Sequence, residues 1–170
     1  MKTQDKCLVS VVMGSDSDFS VMEESVKILK HFRIPSEVVL TSAHRSPERT
    51  SAFAKKAAGR GVRVIIVGAG AAAHLAGVIA SQTLLPVIGV PIEATALQGL
   101  DALLATVQMP GGVPVAAMAI GKAGAKNAAL MAVRILAATD DALLKALEAY
   151  VRQMARDVER KQASLDAASS

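Results

Sequence analysis

Aromatic side chains are nearly missing from this chain. Phe, Tyr and Trp together make up 2% of it, with one Tyr and no Trp. A nucleic-acid surface needs aromatic faces along a basic groove, so that class is excluded. Cysteine is as scarce. Cys7 is the only one, which rules out an intrachain disulfide and a cysteine metal cluster. It precedes the first predicted strand, and nothing around it marks a nucleophile. The three histidines, His31, His44 and His74, are far apart and show no H-x-x-x-H spacing, so no metal is expected. Uninterrupted apolar runs of about 18 residues are absent, which argues against a membrane-spanning helix. The N-terminal residues carry Lys2, Asp5 and Lys6 and lack a cleavable signal pattern. A cytoplasmic location is the expectation.

What remains is abundant and small. Hydrophobic residues are 52% of 170, so the core must be built from Ala, Val, Leu, Ile and Met. That is more apolar content than a small monomer needs, and it points to subunit contacts. The net charge of +4 is modest and dispersed. Ordinary surface charge accounts for it, and a small anionic substrate is equally compatible.

Strand and helix signals alternate along the chain. Leu8 to Met13 is a β-rich run that stops at a Gly-Ser-Asp turn. A helix follows from about Asp18 to Phe32, with Val21, Met22, Val26, Leu29 and Phe32 at helical spacing. Glu37 to Thr41 is a second strand. Ser46-Pro47 starts a second helix, Ser46 as its cap, which ends near Gly59 and Gly61. Val62 to Val67 is a third strand, almost purely β-branched, as suits burial on both faces. Gly68-Ala69-Gly70 reads as the turn after it, and an Ala-rich helix occupies about Ala72 to Thr83. Strands at Val87–Val90 and Val115–Met118 flank a helix at Leu100–Val107. Helices at about Ala123–Ala138 and Asp140–Lys161 complete the chain.

This alternation predicts a three-layer α/β fold: a flavodoxin-like, doubly wound, parallel five-stranded sheet with an extra C-terminal helix. Residues 1–163 read as one α/β domain and 164–170 as a flexible tail. The last helix carries an apolar stripe of Leu143, Leu144, Leu147, Tyr150, Val151, Met154 and Val158. It folds back on its own domain or packs on a neighbouring subunit.

Ligands of such sheets bind beyond the carboxyl ends of the strands. Three loops there carry usable chemistry. Gly14-Ser15-Asp16-Ser17-Asp18 offers a sharp turn, hydroxyls and free N–H groups for an anion; one Asp can cap the helix and another accept from ribose hydroxyls. Ser42-Ala43-His44-Arg45 pairs an imidazole, which moves protons near neutral pH, with a guanidinium suited to phosphate. A capping segment with two solvated side chains is the competing explanation. Gly68-Ala69-Gly70-Ala71-Ala72-Ala73-His74 fits G-x-G-x-x-A, with Glu93 about 20 residues on, so a dinucleotide site has to be weighed. The alternatives are an ordinary tight turn or a loop facing a small carboxylate or carbon dioxide. His74 reads as a packed or wall residue, and His31 as a surface residue at a helix end.

Taken together, these loops resemble the N5-carboxyaminoimidazole ribonucleotide mutase family, the catalytic component of bacterial phosphoribosylaminoimidazole carboxylase. Two further segments match it, Val107 to Val115 and Gly121 to Leu130, so the resemblance covers roughly residues 8 to 138. It implies a ribonucleotide substrate bearing a carbamate, whose carboxyl group migrates from nitrogen to carbon four of the imidazole ring. It implies no metal and no organic cofactor. Ser15, Ser17 and Arg45 would hold the phosphate and Asp18 the ribose hydroxyls, with Gly14 forming the turn. His44 would be the acid and base. Gly70, Ala71 and Ala72 would confine the carbon dioxide, with Ser42 and His74 nearby. The resemblance further implies a homo-octamer, with the C-terminal helix embracing a neighbour, and functional pairing with an ATP-dependent carboxyaminoimidazole ribonucleotide synthase. No nucleic acid or membrane partner is implied. Ala72 and Ala76 depart from the family's usual Gly and Pro. Three other readings stand beside it: a sister carboxylase using free carbon dioxide, a flavin or dinucleotide redox protein, and a non-catalytic nucleotide-binding subunit.

Overall fold

A computed structural model describes residues 7–169. The charges at Lys2, Asp5 and Lys6 lie outside the described residues. The strands are β1 (Val9–Met13), β2 (Ser36–Leu40), β3 (Val64–Gly70), β4 (Val87–Ile92) and β5 (Ala116–Ala117). The helices are α1 (Phe19–His31), α2 (Pro47–Ala57), α3 (Leu75–Ala80), α4 (Leu100–Val107), α5 (Lys122–Ala137) and α6 (Asp141–Ala168). The sheet is parallel throughout, in the order β2-β1-β3-β4-β5. This is the flavodoxin-like order expected from the alternation.

Burial explains the strand sequences. Every residue of β1 and β4 is buried, as is all of β3 up to its last glycine. Such strands have helices on both faces and read as unbroken apolar runs. On one face, Val12, Ile65 and Val67 join Ala54 and Ala57 of α2, Ile79 of α3 and Ala102 of α4. On the other side, α1 is tied to α5 where Ser25 Oγ donates to the Ala125 carbonyl at 2.6 Å. The edge strand β2 differs: Val38 and Leu40 stay about half exposed.

The chain forms two compact units, one through Ala132 and one from Val133 onward. The first holds the whole sheet. The second comprises the end of α5 and the long α6. Asp140 caps α6, accepting from the Leu143 N–H at 3.0 Å. Of the stripe expected on α6, Leu147 is buried, whereas Leu144, Val151, Met154 and Val158 are exposed. The helix runs to Ala168, seven residues past its expected end at Lys161.

Other boundaries also moved, for identifiable reasons. Ser46 sits at the cap position of α2 but does not cap it. Its hydroxyl donates back to the Ser42 carbonyl at 3.1 Å and accepts from the Ser42 N–H at 3.0 Å. The pair Gly68 and Gly70 lies inside β3 rather than in a turn. Ladder pairing to β4 continues through Gly70, opposite Ile92. Gly68 is there because α1 leaves no room: a Cβ would lie 2.7 Å from Met22 Cγ.

The edge of the sheet is fastened at the end opposite the loops that follow the strands. Glu37 on β2 accepts from the buried Ser10 hydroxyl at 2.7 Å and takes both arms of Arg60, at 2.6 and 2.9 Å. The Arg60 guanidinium holds the Glu37 carboxyl below the usual carboxylate range, with the Ser10 hydroxyl helping. A depressed carboxylate adds stability above its unfolded pKa, which is lost as pH falls through the folded value. Glu37→Ala is therefore expected to cost about 1–3 kcal/mol at pH 7, chiefly by orphaning the buried Ser10 hydroxyl. The deficit should shrink in acid, where the wild type loses the same pair. Urea unfolding at pH 7 and pH 3 checks both statements.

Candidate functional site

The register decides which loops meet. Met13, at the end of β1, pairs with Leu40 of β2 on one side and Gly68 of β3 on the other. The chains leaving those strands thus start side by side, and they surround a cleft of about 420 Å³.

The first wall follows β1. Gly14 turns the chain, and Ser15 caps a single turn of 3-10 helix over Asp16–Asp18. The cap is reciprocal. Ser15 Oγ accepts from the Ser17 N–H, and Asp18 Oδ2 accepts from the Ser15 N–H at 3.1 Å. Ser17 Oγ donates to Ser15 Oγ at 2.8 Å. Asp18 is buried. Burial pushes its carboxyl above the ordinary aspartate range, and the N–H groups of Ser15 and Gly14 oppose this. A carboxylate held in this way is a strong acceptor facing the cleft.

The second wall follows β2. Ser42 Oγ accepts from the Arg45 N–H at 3.2 Å, which fixes the turn carrying Ala43 and His44. Beneath it, Thr41 and Thr50 share a buried hydroxyl contact of 2.8 Å. The Arg45 side chain crosses to the first wall, where Nη2 donates to the Gly14 carbonyl at 3.3 Å. The guanidinium thus spans the two loops, at the spot where an anion would meet both.

The third wall follows β3. Gly70 is forced by contact with the end of β4: a Cβ would lie 2.6 Å from Ala94 Cβ and 3.1 Å from the Ile92 carbonyl oxygen. The turn itself falls on Ala71, at φ 51°. A left-handed alanine costs roughly 1–2 kcal/mol, so this corner is held under strain. His74 follows two residues after Ala72 and precedes α3. Its Nδ1 lies 3.0 Å from Nε2 of His44, with the two rings edge to face.

Of the residues singled out from sequence, Gly14, Ser15, Ser17, Asp18, Ser42, His44, Arg45, Gly70, Ala71 and Ala72 all line this cleft. His74 joins it through His44. The segments 107–115 and 121–130 do not line it, and neither do His31 nor Glu93. The dinucleotide fingerprint fails on this geometry, because its first two glycines are strand residues. Leu75 and Ala94 line the cleft without having been singled out. Leu75 was discoverable from its place next to His74; Ala94 has no side-chain signal and is selected only by the approach of β4 to Gly70. Arg49 was missed as well. It sits in the first turn of α2, four residues after Arg45, and lines an adjoining cleft shared with Gly14, Ser15 and Ser42.

Known proteins resemble this chain over nearly its whole length. Residues 8–157 match the sequence model of the AIR carboxylase family. The N5-carboxyaminoimidazole ribonucleotide mutase of Pyrococcus horikoshii is 54% identical over 162 residues, which span 95% of this chain and 90% of that protein. The protein of the same name from Synechocystis sp. is 49% identical, over 96% and 92%. The phosphoribosylaminoimidazole carboxylase of Schizosaccharomyces pombe is 48% identical over 94% of this chain, which is 28% of that longer protein. The crystal structure of Treponema denticola PurE superposes with a TM-score of 0.83 at 28% identity, covering 93% of this chain and 98% of that one.

Gly70→Ala should be poorly tolerated. The added methyl overlaps β4 and its exit loop, an overpacking cost of about 1–3 kcal/mol. At Gly14 a Cβ would meet only Leu75 Cδ2, at 3.9 Å. Thermal unfolding of the two alanine variants should therefore show a clear loss at Gly70 and little change at Gly14.

Proposed function

Because the chain belongs to the AIR carboxylase family, we propose that it is an isomerase of purine biosynthesis. It converts N5-carboxyaminoimidazole ribonucleotide to 4-carboxy-5-aminoimidazole ribonucleotide. One observation carries this reading: three loop ends bearing hydroxyls, a guanidinium and an imidazole converge on one cleft, in a chain about half identical to relatives named for that mutase.

The chemistry follows from those groups. Ser15, Ser17 and Arg45 hold the substrate phosphate, with hydroxyl donors and a planar cation that accept its geometry. Asp18 accepts from the ribose hydroxyls. His44 then gives a proton to the exocyclic nitrogen as the carbamate C–N bond breaks and carbon dioxide leaves. Gly70, Ala71 and Ala72 confine that molecule, with Ser42 and His74 nearby. Carbon four of the ring attacks it, forming the new C–C bond. His44 finally removes the carbon-four proton, which restores both the ring and the imidazolium. Protons and carboxyl group balance, and no electron changes hands, so the sequence of steps asks for no redox partner. Its advantage over free solution lies in holding carbon dioxide beside the nucleophilic carbon while water is kept away.

That last requirement bears on assembly. His44, Arg45 and His74 are exposed in the single chain, so closing the site falls to a neighbour. The exposed apolar stripe of α6 and the bare face of β2 supply surface for such contacts. We read the assembly as a homo-octamer in the cytoplasm, supplied with substrate by an ATP-dependent carboxyaminoimidazole ribonucleotide synthase. No helix among the described residues is long and apolar enough to cross a membrane.

The similarity to the S. pombe carboxylase favours one alternative, capture of free carbon dioxide by aminoimidazole ribonucleotide. Purified protein is given either the carbamate substrate or aminoimidazole ribonucleotide plus bicarbonate. Rapid turnover of the carbamate is expected; turnover of the second mixture alone would overturn the mutase reading. His44→Asn should keep ribonucleotide affinity within a few-fold and lose at least about 10²-fold in turnover, the ordinary worth of a general acid–base. Calorimetric binding and kinetics of that variant test the two halves separately.

A further inference from the structure

His44 and His74 touch through defined nitrogens, Nε2 of one and Nδ1 of the other, at 3.0 Å with the rings nearly perpendicular, 88°. Two imidazoles can share such a contact only if one nitrogen donates and the other offers its lone pair. The contact alone permits either direction. Chemistry at His44 selects one. As the acid, His44 is an imidazolium and both of its nitrogens are donors. The contact survives that state only if Nδ1 of His74 is the acceptor. His74 then carries its own proton on Nε2. When His44 has given up a proton, keeping the contact means keeping the proton on Nε2, and Nδ1 is the nitrogen left bare.

From this we infer that His74 is a positioning residue that holds His44 in the Nε2–H form, so that His44 gives and takes its proton through Nδ1. The inference rests on the proposed proton-transfer role of His44 and adds which atom performs it. The backbone is built for such a duty. His74 ends the turn strained at Ala71, its N–H donates to the Ala72 carbonyl at 2.7 Å, and its own carbonyl accepts from the Val78 N–H at 2.9 Å. Ala73 beside it is buried, which anchors the peptide while the ring stands at the cleft. His44 is fixed from its own side by the Ser42–Arg45 turn. Two loops from different strands therefore meet at one proton. A ring held in one tautomer removes the penalty of reorienting between the acid step and the base step. Hydrogen bonds that orient metal-ligating histidines are worth about 10–100-fold, and an effect of that order is expected here.

The test uses the full-length protein labelled with 15N-histidine. Three imidazoles contribute signals, and the His44→Asn spectrum identifies that of His44. Wild-type His44 should show protonated Nε2 and bare Nδ1 in its neutral form, with the 4-carboxy product absent or bound. His74→Phe keeps a ring but offers no acceptor. It should mix the His44 tautomers and lower kcat about 10–100-fold while KM stays within about threefold. His74→Asn, whose Oδ1 can stand where Nδ1 stood, should recover most of kcat. A wild-type His44 protonated on Nδ1 would overturn the proposal whether or not the variants fold. So would an unchanged kcat in His74→Phe, or an Asn variant as impaired as Phe. The tautomer is read without turnover, so its failure and the failure of the isomerase reading are separate results.

Discussion

The parallel register across β2, β1 and β3 governs the cleft at the carboxyl end of the sheet. Met13 stands level with Leu40 and Gly68, so the exits of β1 and β2 leave the sheet at one height, and β3 runs two residues further before it turns. A slip by one position would reverse the facing of a whole strand. It would also carry Gly14, Ser42 or Gly70 out of reach of the others. Burial of β1 and β4, and of β3 up to Gly70, makes such a slip costly in those three strands. The core thus does more than hold the chain folded; it fixes the spacing of three loops that share no contact in sequence.

Those loops are largely self-supporting. Ser15 and Asp18 satisfy each other's termini, Ser42 and Ser46 exchange three bonds, and Thr41 and Thr50 close the floor. Among the described residues no buried side-chain nitrogen or oxygen lacks a partner. The groups free to meet a ligand are therefore few and defined, which is how an open cleft of small residues obtains precision.

Much of this was legible in the sequence, and the failures have physical causes. Alternating β-branched runs and helical stripes gave the layers, the strand order class and the carboxyl-end loops, because burial on both faces leaves a continuous apolar signature. That Ser15, Asp18, His44 and Arg45 would lie on neighbouring loops was readable from strand polarity, because in a parallel sheet the residues after each strand gather at its carboxyl end. Ser46 was misjudged as a cap: its type and position fit, but Ser42 competes for the same hydroxyl. The Gly68-Ala69-Gly70 stretch was misplaced as a turn, because glycine chosen to admit Met22 or Ala94 looks the same as glycine chosen for flexibility. The contact of His74 with His44 had no local signal at all. It joins residues thirty apart, through a register that only the folded sheet reveals.

The scarcity of large rings leaves a mark on how this chain can change. Helices lie so close to the sheet that glycines become part of their seats: a methyl on Gly68 would strike Met22, and one on Gly89 would strike Thr106 Cγ2. Core volume is consequently held in matched pairs, a missing side chain on a strand opposite a long or branched one on a helix. Neither member can drift alone. Evolution of this interior must proceed by coupled exchange, with the helix residue shrinking before the strand residue can grow, and the two positions should be inherited as a unit.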